Sequence, residues 1–324
     1  MLPNTLRRNL MQAPDTVVMI RPHAFHPNPE TLADNGFQRP TDIGRDTVAA
    51  RALAEFDTAV GQLRDSGVDV NVFDDDGSRD TPDSVFPNNW FSTHTGGHVA
   101  IYPMHAPSRR RERRTDVIEF LKRNFRVQEV IDYSGLEEDG LILEGTGAMV
   151  LDHIGRLAFV ARSNRANPIA LERFCTNFGY EPMVFEARDS AGREIYHTNV
   201  LMCVGTEVAL VGLDTVVNPD RRSEIVERLE ESGRDVIALS QAEIAGFAGN
   251  AIELTGKDGR FLALSRTAHD SLSPPNRARL QSTLPLLPLN VPTIELAGGS
   301  VRCMIAGIHL TPRTATTITT GDRK

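Results

Sequence analysis

Short apolar runs recur along the chain, each broken once by a glycine-bearing turn. Residues 91–103 turn at Gly96 and Gly97, 143–161 near Gly155, 198–213 at Gly205 and 251–264 at Lys257 to Gly259, and a briefer run spans 301–310. Val, Ile, Leu and Ala dominate these runs, and Gly or Asn bounds them, which is the pattern of strands paired through a tight turn. Between the runs, apolar positions fall three and four residues apart. Val48, Leu53, Phe56, Val60 and Leu63 trace one helical face over 46–63, and 117–125, 168–178 and 221–229 carry the same period. Residues 276–284 follow two prolines, which suit a first helical turn. Five hairpins are thus predicted to alternate with five helices.

The small or polar residue at the mouth of each hairpin recurs at near-even intervals. Asn89, Gly147, Asn199, Asn250 and Cys303 are 58, 52, 51 and 53 residues apart. A unit of strands plus one helix, used five times, accounts for nearly all of residues 1–324 as one α/β domain whose equivalent loops converge on an axis.

Composition sets outer bounds on what such a domain does. Of 324 residues, 24 % are charged and 40 % hydrophobic, as in ordinary globular proteins, and the net charge of -8 disfavours nucleic acid and anionic membranes as partners. The basic run at 109–114, which contains Glu112, reads as a solvated helix start. Three cysteines are too few for a disulfide framework, residues 1–11 lack an apolar core of signal length, and no long apolar run occurs. A cytoplasmic protein is expected, with no membrane partner. A homo-oligomer is left open.

If the mouths meet, they bring together one thiol, one imidazole, one carboxylate and several amides. Cys303, His197 and Glu144 form the inventory of covalent thiol catalysis, and Asn88, Asn89, Asn199 and Asn250 surround it. Gly298, Gly299 and Ser300 before Cys303 let the backbone approach a ligand. Cys175 and Cys203, set in helical and strand patterns, read as packing residues. His23 with His26, and His94 with His98, lack a third ligand of suitable spacing, and no Walker or G-x-G-x-x-G loop occurs, so neither metal nor nucleotide cofactor is expected.

These motifs resemble the pentein superfamily of guanidine-modifying enzymes, relatives of arginine deiminase, dimethylarginine dimethylaminohydrolase and amidinotransferase. Phe86 to Trp90 stand at the place of F-x-R-D, Glu144-Gly145 at that of E-G-G-D, His197-x-Asn199 at that of H-x-D, and Cys303 follows the Gly-Gly-Ser loop. The wording around Arg21-Pro22, the FPNNW box and Arg302-Cys303-Met304 is similar to citrulline-utilisation hydrolases. The resemblance implies a five-bladed α/β propeller with five pseudo-repeats around a central active site, and Glu144, His197 and Cys303 as catalytic residues.

The departures from the pattern bear on substrate. Asn89 and Asn199 replace two aspartates that grip a cationic guanidinium, and amides pair instead with an uncharged ureido group. Citrulline, hydrolysed through an S-carbamoyl enzyme to ornithine, ammonia and carbon dioxide, is the expected substrate. Guanidinium hydrolysis, amidine transfer and a non-catalytic binding module are the alternatives, since arginine dihydrolases also carry an asparagine at such a position. An arginine should meet the amino acid's carboxylate, with Arg21, Arg162, Arg165 and Arg302 as candidates. Residues 28–42 read either as a lid contributing Asn35 or Gln38 or as a plain surface loop.

Overall fold

A computed structural model describes residues 11–313; the expectation for the segment before residue 11 lies outside them. Fifteen strands form five three-stranded sheets. They are β1 (Thr16–Pro22), β2 (Asp69–Asp75), β3 (Phe91–His94), β4 (His98–Ile101), β5 (Glu129–Asp132), β6 (Met149–Asp152), β7 (Leu157–Ala161) and β8 (Glu181–Phe185). The second half holds β9 (Met202–Val204), β10 (Val208–Val211), β11 (Asp235–Ala238), β12 (Ile252–Gly256), β13 (Gly259–Ser265), β14 (Leu286–Leu289) and β15 (Ala306–Gly307).

Four of the sheets obey one rule. Two strands pair antiparallel through the glycine-bearing turn, a helix crosses over, and the third strand returns parallel to the second, as in β3-β4-β5 and β6-β7-β8. The crossover helices are α1 (Arg45–Asp65), α2 (Thr115–Asn124), α3 (Pro168–Phe178), α4 (Pro219–Glu231) and α5 (Pro274–Thr283). They match the five predicted amphipathic stretches to within about two residues, because Val48, Phe56, Val60 and Leu63 in α1, and their equivalents elsewhere, must be buried against their own sheet. Asn167 and Asn218 cap α3 and α4 with their side-chain oxygens, each followed by proline at the first helical position.

The fifth unit departs from the hairpin expected at 301–310. Val301–Met304 is a helical turn, since Val301, Met304 and Ile305 are spaced to share one helical face, and all three are fully buried. Only Ala306–Gly307 is strand, and it pairs antiparallel with β1, Val17 against Gly307, so the fifth sheet is β15-β1-β2. Four cores are shared between neighbouring sheets. β1 packs with β3 and β4, β4 with β6 and β7, β7 with β9 and β10, β10 with β13, and β12 and β13 with β1 again. Shared cores hold the hairpin mouths at one end of the sheets. No helix among the described residues is long and apolar enough to cross a membrane.

Candidate active site

Just ahead of the first strand of each sheet the chain makes a short turn, and these turns carry the predicted site residues. Pro87–Asn89 precedes β3, Gly145–Ala148 precedes β6, Thr198–Val200 precedes β9 and Val301–Met304 precedes β15. The first two are locked together: Thr146 Oγ1 donates to the Asn88 carbonyl at 3.1 Å, and Gly145 adopts φ +46° under that same backbone. Gly147 stands where the resemblance anticipates an aspartate. A Cβ there would lie 2.0 Å from Asn89 Oδ1 and 2.9 Å from the His197 ring, so the site has no room for a side chain at 147.

Cys303 is 2 % exposed, and its sulfur receives two amide N–H groups, from Asn199 Nδ2 at 3.2 Å and Asn250 Nδ2 at 3.3 Å. Asn250 is itself fixed, donating to the Asn199 carbonyl and accepting from the Arg302 N–H. His197 Nε2 meets Glu144 Oε2 at 2.8 Å, while its Nδ1 edge faces Gly147. Glu144 is fully buried and its other oxygen accepts the His105 N–H at 2.9 Å. Burial opposes ionisation of Glu144, but Arg165, His197 and Arg109 outweigh it and hold the carboxyl below the usual range. Burial pushes His197 down to about 4 in spite of Glu144, so the ring is neutral at physiological pH with its proton on Nε2.

Orphaned polar atoms mark where a ligand belongs. Among the described residues, Asp83 Oδ1, Asn89 Oδ1, Asn199 Oδ1 and Asn88 Nδ2 are buried without hydrogen-bond partners. The amide nitrogens of Asn89 and Asn199 are committed, Asn89 Nδ2 to the Phe86 carbonyl and Asn88 Oδ1, Asn199 Nδ2 to the sulfur. Their carbonyl oxygens are therefore the free ends. The cavity beside them is lined by Asn35, Asp83, Asn89, Arg109, His197 and Cys303 among others, with free space of only about 10 Å³, enough for one water.

Charge enters this cavity where the sequence analysis did not place it. Arg109, expected on a solvated face, is 3 % exposed; its Nε and Nη2 bind both oxygens of buried Glu112 at 2.9 and 3.0 Å, and its Nη1 lies 3.8 Å from Glu144. Glu112 sits one helical turn from Arg109, and that pairing inside an otherwise basic run is the signal that an exposed face would not require. Asp83 was missed altogether: its Oδ2 accepts from Asn28 Nδ2 at 2.9 Å and Arg109 Nε approaches to 3.9 Å. Of the four arginines proposed for a carboxylate, only Arg165 lines the cavity, with all its nitrogens engaged by Asp34 and Glu144. Arg162 is exposed, Arg21 pairs with Asp57 and Asp74 at the surface, and Arg302 faces elsewhere.

The segment from residue 28 is no plain surface loop. Asn28, Thr31 and Asn35 are buried, Asn28 binds Asp83 and Ser108, and Asn35 Nδ2 donates to the Ala297 carbonyl at 2.9 Å. Asn35 lines the cavity; Gln38 turns inward on its own segment, to the Asn28 carbonyl and Thr31. Cys175 and Cys203 are buried free thiols pushed up to about 12 by desolvation, as packing residues would be. Among the described residues, no cluster of three or more His, Cys, Asp or Glu forms a metal cage; His94 packs on Phe178 and binds Ser92, and His23 binds Asp74.

The family described as N,N dimethylarginine dimethylhydrolase, eukaryotic, matches residues 21–310. The chain belongs to that family. Through that family the chain joins the pentein superfamily, with arginine-modifying hydrolases among its relatives. The N-terminal domain of ArgZ, a cyanobacterial arginine dihydrolase, superposes with TM-score 0.70 at 15 % identity over 91 % of this chain and 99 % of its own. Unliganded AgrE gives 0.70 at 16 % identity over 93 % of this chain and 40 % of its own. A dimethylarginine dimethylaminohydrolase adduct gives 0.61 at 16 % identity over 90 % and 98 %. No curated protein sequence matches the chain. At these identities the superpositions speak for the five-sheet fold of this dimethylhydrolase family member, not for its substrate.

Proposed function

We propose that this protein hydrolyses the ureido group of citrulline or a close ureido amino acid, with Cys303 as nucleophile. The observation that carries this reading is the pair of free carbonyl oxygens on Asn89 and Asn199, whose amide nitrogens are already bound. Neutral acceptors suit the N–H groups of an uncharged ureide, whereas a desolvated guanidinium calls for carboxylates. Glu144 does not serve that need, because His197, Arg165 and the His105 N–H consume its oxygens.

Neutral His197 accepts the thiol proton at Nδ1, and the sulfur, steadied by Asn199 and Asn250, attacks the ureido carbon. A C–S bond forms and a C–N bond breaks as His197 returns the proton to the departing nitrogen. Water then adds to the S-carbamoyl carbon, gives a proton to His197, and releases the thiolate. The carbamate falls to ammonia and carbon dioxide. Glu144, ionised and buried, steadies the imidazole whenever it is protonated.

Arg109 Nη1, without a hydrogen bond among the described residues, is assigned the amino acid's carboxylate, and Asp83 Oδ1 its ammonium. A cavity with room for one water does not admit an amino acid, so residues 28–38 must lift from Asp83 and Ala297 to let substrate in. One observation favours a second reading. The unpaired carboxylate oxygen of Asp83 would equally suit a guanidinium, as in an arginine or methylarginine hydrolase. Ammonia, ornithine and amine release from citrulline, arginine and dimethylarginine, assayed in parallel with Cys303→Ala as control, decides between them. Turnover of citrulline alone is expected; turnover of a guanidine in its place overturns the ureido reading and leaves the nucleophile standing.

A further inference from the structure

Four of the sheets send their first strands past a second cavity, which shares no lining residue with the one at Cys303 and offers free space of about 50 Å³. Gln12 lies across it, donating to the carbonyls of Leu151 and Val204 at 2.9 Å and accepting the His153 N–H at 2.9 Å. Into this space comes Arg302. Its guanidinium makes one hydrogen bond, Nη1 to the Ile305 carbonyl at 3.0 Å, and among the described residues no carboxylate stands within ion-pair distance.

Arg302 is half-buried, and it differs from the buried arginines in its partners. Arg109 has Glu112, Arg165 has Asp34 and Glu144, and Arg234 has Asp152, each a close carboxylate partner. A half-buried guanidinium with free N–H groups facing a cavity, and with no carboxylate beside it, is suited to take an anion. The nearest carboxylate lining the cavity, Glu253, is spent on Arg260 and Thr206. His309, whose buried Nδ1 has no partner among the described residues, stacks on His153 with ring centroids 4.0 Å apart. Burial, with Arg302 beside it, pushes His309 down to about 4, so the neutral ring offers an anion one N–H and no charge.

We propose that this second cavity is a binding site for a small oxyanion, phosphate or the carboxylate of a short acid, held by the free N–H groups of Arg302 and by His309. The space accommodates roughly three or four water-sized positions, which suits such a group and excludes an amino acid. The site lies one residue behind the nucleophile. Arg302 N–H donates to Asn250 Oδ1 at 3.1 Å, and Asn250 Nδ2 donates to the Cys303 sulfur, so one amide links the Arg302 backbone to the thiol.

The test is titration of the full-length protein with phosphate and, separately, with acetate, at fixed chloride, following heat of binding and the imidazole nitrogen signals. Saturable binding of at least one of them is expected, with the His309 and His153 signals moving. Arg302→Gln should weaken that binding at least tenfold, and Arg302→Lys by less; His309→Asn provides an independent loss should Arg302→Gln fail to fold. Which anion binds names the source. No saturable response to either, equal binding by wild type and Arg302→Gln, or movement of the His197 signals alone, which would put the anion beside Cys303, overturns the proposal.

Discussion

The two ends of the cavity at Cys303 are built from opposite chemistry. Around the sulfur stand the amides of Asn199 and Asn250, with Asn89 beside His197; around Arg109 stand carboxyls, Asp83, Glu112 and Glu144, of which burial raises the first two in pKa and the neighbouring cations hold Glu144 ionised. Neutral groups can discriminate an uncharged reacting group from a charged one, because a buried charge without a partner costs several kcal/mol. Opposite charges set close together suit a zwitterionic amino-acid head. The contrast teaches that specificity for the bond to be broken and affinity for the molecule that carries it can be separated along one cavity.

The contrast can be broken most forcefully at the sulfur. Cys303→Ala should lower turnover by at least about 10⁴-fold while Cys175→Ala and Cys203→Ala retain it, measured as ammonia release. Glu144→Gln should cost about 10²- to 10⁴-fold in kcat and also destabilise the fold, because it strips Arg165 and Arg109 of a buried counter-charge; urea unfolding alongside kinetics reads both. At the charged end, Arg109→Gln should act mainly on KM, by roughly 30-fold or more, with a smaller change in kcat. A fall in kcat at unchanged KM would reverse the assignment of the two ends.

Asn89→Asp sharpens the comparison directly. Citrulline turnover should fall about 10- to 100-fold, while the ratio of arginine or dimethylarginine turnover to it rises, because a carboxylate then faces the reacting group. The smallest effect is in pH. With His197 held neutral down to about 4, kcat/KM should stay level as pH falls through 6.5 and drop only near 4, where the base protonates. The same depressed pKa makes folding stability decline as pH falls from the unfolded value near 6.5 toward 4, since the unfolded chain takes up the proton first.

Legibility followed the periodicity. α1 to α5 and the first four hairpins could be read because each buries one face against its own sheet, and the mouth spacing marked Asn89, Gly147, Asn199, Asn250 and Cys303, with Glu144 and His197 close by in the same mouths. What escaped were residues whose role depends on partners far along the chain. Arg109 looked solvated because a basic run has no internal sign that Asp83 and Glu144 enclose it, and Asp83 lies in a turn with no period at all. The 301–310 segment misled because Ala306–Gly307 has its partner nearly 290 residues upstream, at Val17 and Val18.

That last pairing dictates when the pocket at Cys303 is completed. During synthesis β1 and β2 emerge first, yet their sheet gains its third strand only after Gly307 leaves the ribosome, and the turn bearing Cys303 is anchored by that same sheet. Glu144, His197 and Asn199 are therefore in hand long before the thiol they surround. Nascent chains carry a half-built pocket, and the proposed nucleophile is mounted only when β15 has paired with β1.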